Sequence, residues 1–133
     1  MTERRLISTG SPFEKTAGYS RAVAVGPWCF VSGTTGYDYT SMTMPESAEA
    51  QTRNALNTIK KALAEAGFSL ADVVRVHYYV ADAADSAKVF SVTGEFFADV
   101  RPAATIIACH LLEAKMKIEI EVTARKGSAA SAG

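Results

Sequence analysis

Hydrophobic and polar positions alternate in two rhythms along this chain: a period of two, which marks strands, and a period near 3.6, which marks helices. The clearest strand pattern covers residues 115–125. Met116, Ile118, Ile120, Val122 and Ala124 fall on one side, and Lys117, Glu119, Glu121, Thr123 and Arg125 on the other. Residues 73–80 alternate similarly, with Val74, Val76, Tyr78 and Val80 against Val73, Arg75, His77 and Tyr79. Residues 4–8 read as a first strand. Residues 19–25 and 28–33 read as a hairpin turning at Gly26-Pro27. Residues 103–110 are apolar on both sides, with Thr105, Ile107 and Cys109 on one and Ala104, Ile106 and Ala108 on the other. A strand of that kind needs cover on both faces.

Helical spacing appears twice. Over residues 47–66 one face collects Ala55, Leu56, Ile59, Ala62, Leu63 and Ala66, with Ser47 placed to cap the start and Gly67 to end it. Over residues 85–99 the expected inner face is Val89, Phe90, Thr93, Phe96 and Phe97, and Arg101-Pro102 stops the helix. Residues 10–18 and 33–45 read as loops. The second carries Tyr37 and Tyr39, which either lid a cleft or pack on the surface.

The order is three strands, helix, strand, helix, two strands. This predicts an α+β fold, a mixed β-sheet with two helices on one face. Two helices cover one face only, yet residues 103–110 ask for two. The other face is therefore expected to meet another subunit in a homo-oligomer. Lys117, Glu119 and Glu121 would then lie in or beside an interface, where carboxylates need partners or a function. Residues 1–126 form the expected single domain, and the small residues of 127–133 an expected disordered tail.

Composition narrows the function. The 133 residues carry 14 Lys plus Arg and 14 Asp plus Glu, for a formal net charge of zero. A protein that binds nucleic-acid phosphates normally has a basic excess, so nucleic acid is not the expected partner. No apolar run approaches the ~20 residues of a membrane span, and no signal-peptide pattern opens the chain. The two cysteines, Cys29 and Cys109, sit in apolar strands and read as buried, reduced thiols of a cytoplasmic protein. With His77 and His110 as the only histidines, no metal-ligand spacing exists and no cofactor is expected.

Seven segments occur in a familiar order: Gly18-Tyr19-Ser20-Arg21-Ala22-Val23, Phe30-Val31-Ser32-Gly33, Ala66-Gly67, Asp72-Val73-Val74, Phe96-Phe97, Arg101-Pro102-Ala103-Ala104-Thr105 and Lys117-Ile118-Glu119-Ile120-Glu121. The set, spanning residues 19–125, resembles the RidA/YjgF family of imine and enamine deaminases. The resemblance implies a chorismate-mutase-like fold and a homotrimer whose sheets form a central barrel. It also implies a small-molecule (metabolite) cleft at each subunit interface. Active members of the family hydrolyse imines and enamines to an oxo compound and ammonia. Carried over by position, Glu119 is the expected catalytic residue, and Tyr19, Ser32, Gly33, Ala104 and Thr105 the expected substrate-binding set. Ala104 stands where the family has the arginine that grips the substrate carboxylate through two prongs, and a methyl group cannot do that.

Each candidate also has a plainer reading. Glu119 could be salt-bridged to Lys117, or to Lys115 or Arg125 of a neighbour; Glu121 is expected to be structural. Tyr19 could fill an interface as an ordinary strand aromatic. Ser32 and Gly33 could be a simple strand-to-loop transition. Arg21 and Arg101 are the nearest cations to the missing arginine, and both are expected at the surface. His110 is expected to be solvated or hydrogen-bonded at a strand end. The alternative to an enzyme is a non-enzymatic metabolite binder or regulator of the same fold. A nuclease reading, suggested by older names for the family, is opposed by the zero net charge and the lack of a basic-aromatic stripe.

Overall fold

The computed structural model describes residues 3–128. Its strands are β1 (Arg4–Ile7), β2 (Ala22–Val25), β3 (Trp28–Thr35), β4 (Val73–Val80), β5 (Ala103–Ala108) and β6 (Ile118–Arg125). Its helices are α1 (Pro12–Ala17), α2 (Ala48–Glu65) and α3 (Ser86–Phe97). The strands make one mixed sheet in the order β1-β2-β3-β6-β4-β5. β1, β2 and β3 form an antiparallel meander. β6 is inserted antiparallel between β3 and β4, and β5 pairs parallel with β4 at the edge. The α+β class and the helix-covered face are as expected.

The core lies between the sheet and the two long helices. α2 contributes Ala55, Leu56, Ile59, Ala62 and Leu63, and β6 contributes Ile118, Ile120, Val122 and Ala124. Each fully buried Leu or Ile contributes ~1.5–3 kcal/mol. Ser47 caps α2 by accepting from Ala50 N at 3.1 Å, and Gly67 leaves the helix at φ 86°. Among the described residues no helix is long and apolar enough to cross a membrane.

Several expectations need correction. Residues 10–18 contain a helix, α1: Ser11 caps it, Pro12 opens it, and Gly18 closes it at φ 78°. Six residues are too few to show a hydrophobic period, so only the caps could have revealed it. On α3 the inner face holds Val92 instead of Phe90, which is 48% exposed. Val89, Val92, Thr93 and Phe97 follow one stripe, and Phe90 lies about 100° round from Val89. In β4 a bulge at Val73/Arg75 puts Val73, not Val74, with the core residues Val76, Tyr78 and Val80. Tyr37 and Tyr39 neither lie on the surface nor hang over it. They are buried with Met116 in a small second core. Cys29 is buried, but Cys109 is only half-buried. Of the expected tail, Gly127 and Ser128 bond back to Asp72; residues 129–133 lie outside the described residues.

The face of the sheet away from the helices is open. The strand registers line up Leu6, Val23 and Phe30 on it, then Thr105, His77 and Glu121, then Ile107, Tyr79 and Glu119. Phe30 is 47% and Ile107 48% exposed, so the two-sided cover expected for β5 is absent within one protomer.

Candidate functional site

The site begins with a fault in β3. Val31 pairs with Val122 and Thr34 with Ile120, so three steps along β3 match two along β6. One extra residue is accommodated there as a bulge, which re-aims the side chains beside it. Gly33 lies in this bulge, and a Cβ built on it would overlap the Glu119 carboxylate. The missing side chain is what admits Glu119. Ser32 continues the hairpin past β2: its N donates to Arg21 O at 2.9 Å and its Oγ to Ser20 O at 2.6 Å. Tyr19 is placed by the end of α1, where its N donates to Glu14 O at 2.9 Å.

Arg21 joins these parts, and it is 0% exposed, not at the surface as expected. Its Nη1 donates to Gly33 O at 2.8 Å and to Thr34 Oγ1 at 3.1 Å, and its Nη2 to Tyr19 Oη at 3.3 Å. The guanidinium also lies over the Tyr39 ring at 4.5 Å and the Tyr19 ring at 5.5 Å. Tyr39 is itself fixed, its hydroxyl accepting from Thr35 N at 2.9 Å. Sequence reasoning missed the role of Arg21 because alternation from Ala22 and Ala24 points it outward.

Glu119 is half-buried. Burial raises its pKa above the ordinary 4.5, the Glu121 charge adds to the rise, and Arg21 opposes it. Among the described residues Glu119 makes no ion pair, so the salt bridge to Lys117 is not formed within the protomer. Glu121, by contrast, has side-chain partners. It accepts from Tyr79 Oη at 2.5 Å and meets His77 Nδ1 at 3.0 Å. The Tyr79 phenol is pushed up to about 12 by that hydrogen bond.

The structure therefore brings Tyr19, Ser32, Gly33 and Glu119 together. It does not bring Ala104 and Thr105 to them. Both lie on β5, three strand spacings from β3, or about 14 Å. Ala104 pairs with Val76 and Thr105 with His77. Arg101 is exposed with φ 51°, and His110 is exposed. A separate cavity of about 310 Å³ opens on the helix side beside Tyr37, Tyr39, Asn54 and Lys61, and none of the expected site residues lines it. Among the described residues no three His, Cys, Asp or Glu side chains cluster as metal ligands.

This arrangement can hold a small polar molecule against the bulge, with a carboxyl group of raised proton affinity on one side and a phenol on the other. The model of the family described as Endoribonuclease L-PSP matches residues 9–126. The chain belongs to this family, which is the RidA/YjgF family. RutC family proteins of Pyrococcus abyssi and Pyrococcus horikoshii are 37% and 33% identical, each over 92% of this chain and 98% of the relative. The crystal structure of a Mycobacterium tuberculosis member of the YjgF family matches with TM-score 0.85 at 40% identity, covering 92% of this chain and 99% of that one. The Escherichia coli YjgF gene product matches with TM-score 0.81 at 27% identity, over 91% and 98%. The YjgF fold accounts for the sheet order and the single helix-covered face found here.

Proposed function

We propose that this RidA/YjgF protein assembles as a homotrimer through its open sheet face. Each interface then holds a small-molecule cleft, in which Glu119 and water hydrolyse an imine or enamine to an oxo compound and ammonia. The observation that carries the reading is the Glu119 carboxyl group, seated in the space that Gly33 leaves and held above its ordinary pKa by burial. A carboxylate of raised basicity suits general-base work near neutral pH. It takes a proton from water as the oxygen adds to the imine carbon. The proton passes to nitrogen to give a carbinolamine; the carboxylate then carries the hydroxyl proton to the amine, the carbon–nitrogen bond breaks, and ammonia leaves as the oxo group forms. The exposed apolar side chains of Leu6, Phe30 and Ile107 on the open sheet face support the assembly. It also supports completion of the cleft by β5 of a neighbour, which would bring Ala104 and Thr105 to the site.

The test generates imines in place from a panel of amino acids with an oxidase and follows oxo-acid formation with and without this protein. Acceleration that Glu119→Gln abolishes supports the reading. Equal rates for parent and Glu119→Gln refute it. A second reading, binding without turnover, is favoured by Ala104, which removes the family's carboxylate grip. If only Ala104→Arg gains activity, the cleft is intact and the natural protein is a binder.

A further inference from the structure

A fully buried guanidinium without a carboxylate beside it needs an explanation. Among the described residues no Asp or Glu oxygen lies within 4.0 Å of Arg21, and its Nε has no hydrogen-bond partner. Removing a permanent charge from water is costly, and proteins normally place the opposite charge against it. Here the contacts are a backbone carbonyl, a threonine hydroxyl, a tyrosine hydroxyl and two aromatic faces. All are dipoles; the carboxylates that feel its charge, Glu119 and Glu14, do so from beyond ion-pair distance.

One contact leads outward. Tyr19 is 37% exposed, and its oxygen accepts from Arg21 Nη2 at 3.3 Å. With that lone pair engaged, the hydroxyl proton is left to point away from the guanidinium, toward the site. A donor polarised by a cation behind it makes a stronger hydrogen bond to an anion. The same guanidinium draws the Gly33 carbonyl oxygen toward itself at 2.8 Å, so this acceptor is turned inward at the bulge where Glu119 sits.

We propose that Arg21 is the positioning residue for anion recognition in this chain: it presents the Tyr19 hydroxyl to the carboxylate of a small ligand, in place of the arginine that Ala104 replaces. The cation acts from the hairpin, through the phenol, instead of touching the ligand. The ligand class is a small carboxylate, as in the reaction proposed above. This proposal rests on the reading that the bulge region binds a small molecule, and it adds how this chain holds that molecule's carboxylate.

The test uses the full chain and two probes of nearly equal shape, pyruvate and pyruvamide, followed by amide NMR shifts of Ser32, Gly33 and Thr34. Pyruvate is expected to bind the parent more tightly than pyruvamide. Tyr19→Phe, which removes the hydroxyl and its bond to Arg21, is expected to weaken pyruvate roughly tenfold and pyruvamide by less. Arg21→Gln is expected to lose at least as much, and Arg21→Lys to recover part of it. Glu119→Gln is expected to bind pyruvate more tightly, because a like charge is gone. Equal binding of the two probes by the parent, or parental pyruvate binding by Tyr19→Phe, overturns the proposal while leaving a binding site in place. If neither probe shifts these resonances, the site reading and the proposal fall together.

Discussion

Gln51 offers the sharpest test of how this fold holds its site. The side chain is fully buried on α2 and makes three hydrogen bonds within the fold. Its Nε2 donates to Pro45 O at 2.9 Å and to Lys115 O at 2.8 Å, and its Oε1 accepts from Lys117 N at 2.8 Å. One neutral amide thus ties the end of the β3–α2 loop to the chain entering β6, two residues before Glu119. Gln51→Met keeps the volume and removes all three bonds. Two carbonyls and one N–H are then left facing an apolar group, at about 1 kcal/mol each or somewhat more. The expected loss is about 3 kcal/mol, or a fall of roughly 10 °C in melting temperature for a domain of this size. The assay is thermal and urea unfolding by circular dichroism, repeated at several protein concentrations so that dissociation of any oligomer is separated from unfolding. A loss below about 1 kcal/mol would refute the argument, since it would mean that water or a small shift replaces all three partners. Gly36→Ala is a companion: its Cβ would come within 2.5 Å of Gln51 Cβ and 2.6 Å of Gln51 Cα. Because those atoms survive truncation, Gln51→Ala should not rescue it.

Other expectations follow from the site. Native Glu119 holds its proton more tightly than the unfolded chain does, so its contribution is present below the ordinary 4.5 and is lost as pH rises through the native value. Glu119→Gln should therefore gain stability relative to the parent as pH rises from acid to neutral, and a pH-independent difference in urea midpoints would contradict this. Gly33→Ala should fold but push the Glu119 carboxylate out of its space, so any Glu119-dependent activity should fall with little change in melting temperature; unaltered activity would show that the close approach is idle. Glu121→Gln should bring the Tyr79 phenol down from about 12 toward the ordinary 10, read by ultraviolet titration, and no movement would remove Glu121 as the cause. Burial pushes the Cys29 thiol up to about 11, so native protein at mildly alkaline pH should leave Cys29 unmodified by a thiol reagent; rapid labelling of Cys29 would mean that the core opens.

Legibility in this sequence follows the regularity of each element. The faces of α2 and β6 could be read because every turn and every second residue repeats one choice, from Ala55 to Ala62 and from Ile118 to Ala124. α1 could not, because six residues hold too little period, and Phe90 was misplaced because adjacent apolar residues on a short helix leave the stripe ambiguous. The candidate site was partly readable through resemblance, which picked out Tyr19, Ser32, Gly33 and Glu119. Arg21 was not, and the cause is physical. Its burial depends on Gly33 and Thr34, twelve and thirteen positions away across the hairpin, and on Tyr39 folding back over the guanidinium. The bulge between Val31 and Thr34 is what lets these groups converge, by setting two residues where alternation expects one. The same fault that hides Arg21 from a periodic reading makes room for Glu119 at Gly33. In this chain the fold is written in the period and the site in its interruption. A loop or strand irregularity beside a glycine is therefore the place where a charged residue predicted to face solvent should be suspected of turning inward.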